Sequence, residues 1–135
     1  MENKDYISSV GRRKRAIARV RLYSTGENKG SITVNGKTAD DYFKSAVNAK
    51  GLIAEVFHCT NTANKFVTTI LVEGSGMSGQ LGAVTLGIAR ALVKFDSKFK
   101  AILRKKGYMT RDPREVERKK PGLPKARKQK SSPKR

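Results

Sequence analysis

The sequence predicts a single mixed α/β domain followed by an extended basic tail. Two stretches have the composition of strands: residues 17–23 alternate apolar side chains with arginine, and residues 65–72 are rich in β-branched side chains. A third stretch, residues 81–95, repeats apolar side chains at spacings of three and four, which is typical of one buried face of a helix. At 135 residues, the chain is long enough for one modest core.

The N-terminal third is predicted to hold further strands. Residues 6–10 and 16–23 are predicted to form a strand region, because both stretches carry apolar side chains. Residues 31–34 form a short strand, which the Asn-Gly turn signal at residues 35–36 ends.

Shorter helices are predicted on either side of the glycine-rich centre. Thr38 or Asp40 is placed to cap a short helix that extends to Val47, and a second short helix runs through residues 52–57. After the long helix, residues 99–106 form another, and the glycine that follows can end it.

A last helix is predicted at residues 113–120. Asp112 is a good N-cap, Pro113 suits the first helical position, and Glu115 stands where a capping box requires an acid. Pro121 then stops the helix within about two turns.

Charge is the strongest compositional feature. The chain carries 30 Lys and Arg against 11 Asp and Glu, a net charge of +19, of which residues 100–135 hold +12. Residues 118–135 contain nine Lys or Arg and no acidic or aromatic residue, so this segment alone cannot bury enough apolar surface to become ordered. So large a charge repels itself until a polyanion neutralises it. We therefore predict a nucleic-acid partner and, since no basic amphipathic helix with bulky apolar anchors is present, no membrane partner.

Catalytic and metal chemistry finds little support. The single cysteine, Cys59, excludes an internal disulfide and a cysteine-cluster zinc site. It neighbours the single histidine, His58, but adjacent residues point in different directions, so we interpret Cys59 as a partly buried thiol. No carboxylate pair has catalytic spacing. We expect no enzyme activity, no cofactor, no metal site and a reducing, cytoplasmic location.

A glycine-rich loop precedes the long helix. Its pattern, Gly74-x-Gly76-x-x-Gly79, formally matches a dinucleotide fingerprint. Asp96 follows about twenty residues later, but in helical sequence rather than at the end of a second parallel strand, where a ribose-binding acid belongs. We therefore favour a loop that approaches nucleic-acid phosphates. A tight turn that only packs the helix on the sheet is the alternative.

One side of the long helix carries small residues. They are Gly79, Gly82, Ala83 and Gly87, and the row ends at Arg90. Each glycine inside a helix costs roughly 1 kcal/mol relative to alanine. Close approach of either the sheet or an RNA backbone would offset that cost, and both remain open. Arg90 is a candidate phosphate ligand.

Two groups of cations lie in the predicted N-terminal strands. Four adjacent cations at residues 12–15 stand at a bend, where they repel one another unless an anion lies among them. We predict phosphate contact there, with a solvated turn as the alternative. Arg19 and Arg21 share one strand face, which is therefore positive. The aromatic residues are expected mostly in the core and not as an exposed stacking platform, so binding should use phosphates and shape rather than base reading.

Four motifs point to one family. They are Gly-Arg-Arg-Lys-Arg-Ala-Ile-Ala-Arg-Val at residues 11–20, the loop and helix at residues 76–92, the stretch with Thr-Arg-Asp-Pro-Arg-Glu-Val-Glu-Arg-Lys-Lys at residues 103–120, and Lys134-Arg135. In this order they resemble the small-subunit ribosomal protein S-nine family of bacterial type. The resemblance covers essentially the whole chain.

The resemblance implies a fold, a division of the chain and a role. The implied fold is α/β (α+β), with a four-stranded sheet, helices on one face and a left-handed βαβ crossover. Residues 1–107 would form a globular rRNA-binding domain, and residues 108–135 a short helix and an extended basic tail. The implied role is that of a structural constituent of the small-subunit head. Its partners would be small-subunit rRNA, neighbouring head proteins and, through the tail, the anticodon loop of the peptidyl-site tRNA.

The charge pattern and the resemblance together give two sets of contact residues. The rRNA-binding residues are predicted to be Arg12, Arg13, Lys14, Arg15, Arg19, Arg21, Gly76, Ser78, Gly79, Gln80, Arg90, Arg111, Arg114, Arg118, Lys119, Lys120, Lys125, Arg127 and Lys128. The tRNA-binding residues are predicted to be Lys130, Lys134 and Arg135.

The chain departs from the family pattern in three places. Pro121 replaces an aromatic residue, residues 131–133 replace Gln-Phe-Ser, and residues 84–86 lack a basic residue common in the helix. The first two leave the path of the tail open, and the third predicts a weaker phosphate contact. The alternative function is a free basic nucleic-acid-binding protein of the nucleoid or RNA-chaperone type. A nucleotide-using enzyme would instead show saturable nucleotide binding.

Overall fold

The computed structural model describes residues 5–134, so the predicted tRNA-binding residue Arg135 lies outside the described residues. The elements, in chain order, are β1 (Tyr6–Arg13), β2 (Ala16–Tyr23), β3 (Ile32–Val34), β4 (Lys37–Thr38), α1 (Ala39–Tyr42), α2 (Ala49–Cys59), β5 (Val67–Glu73), α3 (Met77–Phe95) and α4 (Phe99–Lys105). The predicted mixed class is confirmed, and so are the three segments on which that prediction depended.

The strands form one sheet in the order β1-β2-β5-β3-β4, with β3 and β5 parallel and the other neighbours antiparallel. The sheet has five strands, so the expectation of four is wrong. The extra strand, β4, has two residues and follows a tight turn in which Asn35 (φ 49°) and Gly36 (φ 80°) both adopt positive φ. Two residues are too few to show an alternating pattern, which is why the sequence does not predict β4.

The helices cover one face of the sheet. Alternate residues of β2, namely Ala18, Val20 and Leu22, are buried together with Ile70 and Val72 of β5. These side chains belong to the same core as the apolar residues of α3. The other face, which we call the open face, exposes the intervening residues, among them Arg19 and Arg21. The prediction that these two arginines share one exposed face is confirmed.

Helix α3 approaches the sheet very closely at a pair of glycines. Gly11 of β1 faces Ala83 and Gly87 of α3, and a Cβ added at Gly11 would overlap the Ala83 carbonyl oxygen. A Cβ added at Gly87 would lie 2.7 Å from a Val20 methyl group. The Ser9 hydroxyl donates a hydrogen bond to the Gly87 carbonyl at the same contact. Close packing against the sheet therefore accounts for this part of the row of small residues.

The shorter predicted helices are confirmed with one exception in their extent. The Thr38 hydroxyl caps α1 by accepting from the Asp41 amide at 3.3 Å. Helix α1 nevertheless ends at Tyr42, and Val47, which was expected in that helix, lies beyond it and is 92% exposed. The helices predicted at residues 52–57 and 99–106 correspond to α2 and α4.

The helix predicted at residues 113–120 is wrong. Residues 111–120 contain no regular secondary structure. Asp112 does accept from the Arg114 amide at 3.0 Å, as a turn-forming residue does, but no helix follows. A helix of eight residues needs an apolar face to pack, and the only large apolar side chain here, Val116, is 89% exposed.

Candidate nucleic-acid interface

The turn between β1 and β2 carries four cations, Arg12, Arg13, Lys14 and Arg15, which we call the hairpin tip. Lys14 adopts a positive φ of 51°, so the chain reverses direction within two residues. The four cationic side chains therefore belong to one short turn and the strand ends beside it. Arg12 and Arg15 are exposed, whereas Arg13 is partly buried. Arg13 lies over Gly82 of α3, where a Cβ would collide with its side chain. The missing side chain at Gly82 thus makes room for the arginine.

Two carboxylates from the start of the tail pair with the hairpin tip. Arg13 lies 3.4 Å from Asp112 and Arg15 lies 3.2 Å from Glu115. The Arg111 guanidinium also donates to the Lys14 carbonyl at 3.4 Å. We call these three contacts the tail clasp. The sequence predicts an anion among the four cations, and the chain itself provides two such anions, Asp112 and Glu115.

The tail clasp leaves the hairpin tip accessible to a polyanion. The Arg15–Glu115 pair is exposed, and because exposed ion pairs contribute little to stability and are screened by salt, phosphates can compete for Arg15, whereas the Arg13–Asp112 pair is partly buried. Among the salt bridges of residues 5–134, none involves Arg12 or Lys14. The hairpin tip therefore keeps a net positive charge while its position relative to the tail is fixed.

Asp112 holds the clasp together from the tail side. The Arg114 side chain, followed by the Arg114 amide and the nearby charge of Arg13, keeps the pKa of this carboxyl well below its usual range. A carboxyl whose pKa is lower in the folded than in the unfolded protein stabilises the fold. That stabilisation is fully present above the unfolded pKa and is lost only as the pH falls through the folded pKa. Asp112 therefore stays charged throughout the neutral range.

The remaining tail cations spread away from the domain. Glu117 accepts from Lys120 at 2.6 Å and from Arg127 at 2.8 Å, and these hydrogen bonds lower its pKa. The other predicted contact residues of the tail are all exposed in the structure: Arg118, Lys119, Lys125, Lys128, Lys130 and Lys134. No helix or strand is present between residues 108 and 134, so these cations lie along an irregular segment.

A second group of cations surrounds the edge strand β1. Arg90 and Lys94, one turn apart on α3, donate to the Val10 and Ser8 carbonyls at 2.9 and 2.7 Å. These contacts satisfy carbonyl groups that an edge strand would otherwise leave unpaired. On the open face, Arg19 pairs with Glu73 at 3.4 Å, and Arg21 lies over the Tyr6 ring. Lys94 was not predicted, although its spacing of four from Arg90 places both on one helix face.

The glycine-rich loop divides into exposed and internal residues. Helix α3 begins at Met77, so Gly79 and Gln80 lie in its first turn and are buried. The Gln80 amide donates to the Gly74 carbonyl at 3.1 Å, and its oxygen accepts from the Tyr42 hydroxyl at 2.8 Å. Gly76 and Ser78 are exposed beside the helix N-terminus. The accessible part of this predicted contact is therefore smaller than the sequence indicates.

The prediction that the aromatic residues lie mostly in the core has two clear exceptions, Tyr6 and Phe95, of which Phe95 is 48% exposed. Phe43, Phe57 and Phe66 are buried as expected, but Tyr6 is 44% exposed on the open face. The Tyr6 and Tyr23 rings lie 5.5 Å apart between centroids, with planes inclined by 49°. Cross-strand pairing of these residues brings the rings together, and that register is visible only in the folded sheet.

Comparison with known proteins identifies the family. A model of the ribosomal protein S9/S16 family matches residues 11–135, a span that begins at the hairpin and includes the whole tail. The chain belongs to this family. The S9/S16 proteins are structural components of the ribosome, which excludes the dinucleotide-using enzyme considered for the glycine-rich loop.

This S9/S16 protein is similar to curated relatives over most of its length. It is 54% identical over 121 residues to the small ribosomal subunit protein uS9 of Thermotoga petrophila, covering 87% of each chain. It is 45% identical over 130 residues to the protein of the same name from Pseudothermotoga lettingae, covering 94% of each chain.

Within residues 5–134, no group of His, Cys, Asp and Glu side chains is arranged to hold a metal ion. Across the same residues, no helix has both the length and the apolar character needed to cross a membrane. Cations form one cluster at the hairpin tip, which Arg111 and Arg114 of the tail adjoin, and another along β1.

Proposed function

We propose that the protein is a structural constituent of the small ribosomal subunit head that binds small-subunit rRNA through its globular part. The observation that supports this most strongly is the hairpin tip, where Arg12, Arg13, Lys14 and Arg15 project from one turn next to the start of the tail. Phosphate groups dominate protein affinity for nucleic acids, and arginine binds them with particular geometric fit. The location is the ribosome in the cytoplasm, with other proteins of the head as neighbours.

The rRNA-binding surface comprises the hairpin tip and the exposed residues around it. Gly76 and Ser78 lie at the accessible N-terminus of α3, where backbone amides favour an anion. Arg114, which pairs with Asp112 of the tail clasp, lies close to the hairpin tip and adds a further cation. Residues 1–107 act as the globular rRNA-binding domain and residues 108–135 as the tail. The connection from β3 to β5 is the βαβ crossover, for which we propose the left-handed sense of the family.

The tail reaches the anticodon loop of the peptidyl-site tRNA. Its last cations, Lys130, Lys134 and Arg135, contact backbone phosphates there. The tail clasp supports this assignment, because fixing residues 111–115 against the domain gives the tail a defined point of departure. The irregular residues beyond it can then follow the surface of the RNA.

Deleting residues 133–135 is expected to weaken tRNA binding to the peptidyl site by about tenfold while leaving rRNA docking intact. The deletion removes Lys134 and Arg135, and loss of their salt-screened phosphate contacts costs roughly 1.5 kcal/mol in total, which corresponds to that factor. The measurement is tRNA affinity for purified small subunits that carry the truncated protein. Ser131→Ala with Ser132→Ala is the matched control, because it alters the same part of the tail without changing its charge. Equal tRNA affinity for full-length and truncated subunits would refute the tRNA contact.

A further inference from the structure

We propose that Tyr6 and the cavity along β1 form a binding site for an unpaired nucleotide of RNA. The base stacks on the exposed Tyr6 ring, and the adjoining phosphates bind the cations around it. This inference depends on the proposed function and extends it, because it assigns a base-stacking contact to a surface that otherwise binds phosphates only.

The first supporting observation is the arrangement of aromatic and cationic groups on the open face. Tyr6 is 44% exposed, although it stands at the start of a strand and beside a second ring. The Arg21 guanidinium lies 5.2 Å from the Tyr6 ring centroid, within the range of a cation–π contact. Arg21 thus covers one face of the Tyr6 ring and Tyr23 lies beside it, so the base would stack on the face that Arg21 leaves open. A ring held in this way loses little conformational freedom when a base stacks on it.

The second observation is the cavity beside that ring. It has a volume of about 670 Å³ and extends along β1 between Tyr6 and Met109. Its lining includes the four cations Arg19, Arg21, Arg90 and Lys94, and none of the described residues that line it is acidic. Arg90 and Lys94 are held at its edge by the carbonyl groups of Val10 and Ser8. Two of the four cations therefore already have hydrogen-bond partners in the protein before a ligand arrives.

An exposed aromatic ring beside a positively charged cavity favours an unpaired nucleotide over a duplex. Unpaired bases stack on aromatic side chains while their phosphates follow a positive groove. The bases of a duplex are already stacked, so a duplex would use the cations but not the ring. Glu73 pairs with Arg19 at one edge of the cavity, while the described residues that line the cavity are not acidic. A flexible single-stranded segment of rRNA matches both the exposed ring and the surrounding charge.

The test uses the full-length protein with ¹³C-labelled tyrosines. NMR follows the ring signals of Tyr6 and Tyr23 during titration with a single-stranded oligoribonucleotide and with an RNA duplex of equal phosphate content. We expect the Tyr6 ring signals to shift upfield with the single strand only, because a stacked base shields them.

Affinity measurements on variants complete the test. At high salt, where phosphate contacts weaken, Tyr6→Leu should lower affinity for the single strand by about tenfold, and Tyr6→Phe should retain it. Leu71→Ala is the control, because Leu71 is 53% exposed on the open face but does not line the cavity. Tyr6 ring signals that remain unmoved, or that shift equally with the single strand and the duplex, would overturn the inference.

The result also separates this inference from the proposed function. If the backbone amide signals of the hairpin tip and the tail, recorded on ¹⁵N-labelled protein in the same titrations, shift with both RNAs while the Tyr6 ring signals do not, the stacking site is refuted and rRNA binding stands. If no signal responds to either RNA, the proposed function fails as well.

Discussion

Replacing Gly11 with alanine is expected to lower the free energy of unfolding by about 3 kcal/mol, because the new methyl group has no space between β1 and α3. An added Cβ would overlap the Ala83 carbonyl oxygen and would lie 2.8 Å from the Gly87 Cα. Both neighbours are backbone atoms within a helix, so neither can move aside as a flexible side chain could. The measurement is urea unfolding of the full-length protein, followed by circular dichroism.

Gly76→Ser is the matched control for the Gly11 variant. Gly76 has φ of −96° and no atom within 4 Å of an added Cβ, and serine is a favourable residue at its N-cap position. This variant should unfold at the same urea concentration as the wild type or slightly above it. Equal stability of the Gly11→Ala variant and the wild type would contradict the close packing of α3 on β1.

Deleting residues 121–135 is expected to leave the fold intact and to remove much of the affinity for RNA. The deleted segment contains six cations, Lys125, Arg127, Lys128, Lys130, Lys134 and Arg135. If each binds one phosphate, the slope of log affinity against log salt should fall by about five, and affinity at low salt by a hundredfold or more. The slope is measured with an rRNA fragment at several salt concentrations. The unfolding midpoint should change little, because none of residues 121–134 is fully buried.

The control for the tail deletion keeps every charge. Replacing Pro121, Pro124 and Pro133 with alanine removes the backbone restrictions of the tail but none of its cations. Its salt slope should match that of the wild type. A slope that does not change on deletion would mean that the tail makes no phosphate contacts, and the assignment of its cations would be wrong.

The larger elements of the fold could be predicted from local patterns. The alternation in β2 reflects burial on one side only, whereas α3 has no exposed residue between positions 79 and 93; both patterns extend over enough residues to be recognised. β4 was missed because a pair of residues carries no periodicity. The mixed α/β class with helices on one face of a single sheet agrees with the prediction, whereas the number of strands does not.

The wrong helix at residues 113–120 has a different cause. Asp112 and Glu115 are real helix-start signals, but their carboxylates pair with Arg13 and Arg15, about a hundred residues earlier in the chain. These tertiary contacts override the local preference, and no local pattern records them.

Some features of the candidate site can be predicted from composition, whereas others are visible only in the folded structure. Its arginines and lysines are evident from charge alone, as are the hairpin tip and the tail. The exposure of Tyr6 depends on its pairing with Tyr23 and on the absence of a helix over that face, which only the folded sheet reveals. Likewise, Gln80 is a polar residue in a predicted binding loop, yet its amide is hydrogen-bonded inside the protein.

The most direct test of the central claim is sedimentation of a tagged version from a cell lysate at moderate and at high salt. An isolated binder with about eight phosphate contacts is stripped from RNA at high salt, because log affinity falls by roughly 0.7 to 0.9 per contact per decade of salt concentration. A constituent of the assembled subunit should instead migrate with small ribosomal subunits at both salt concentrations. Release into the soluble fraction at high salt would contradict the claim and would favour a free basic nucleic-acid-binding protein.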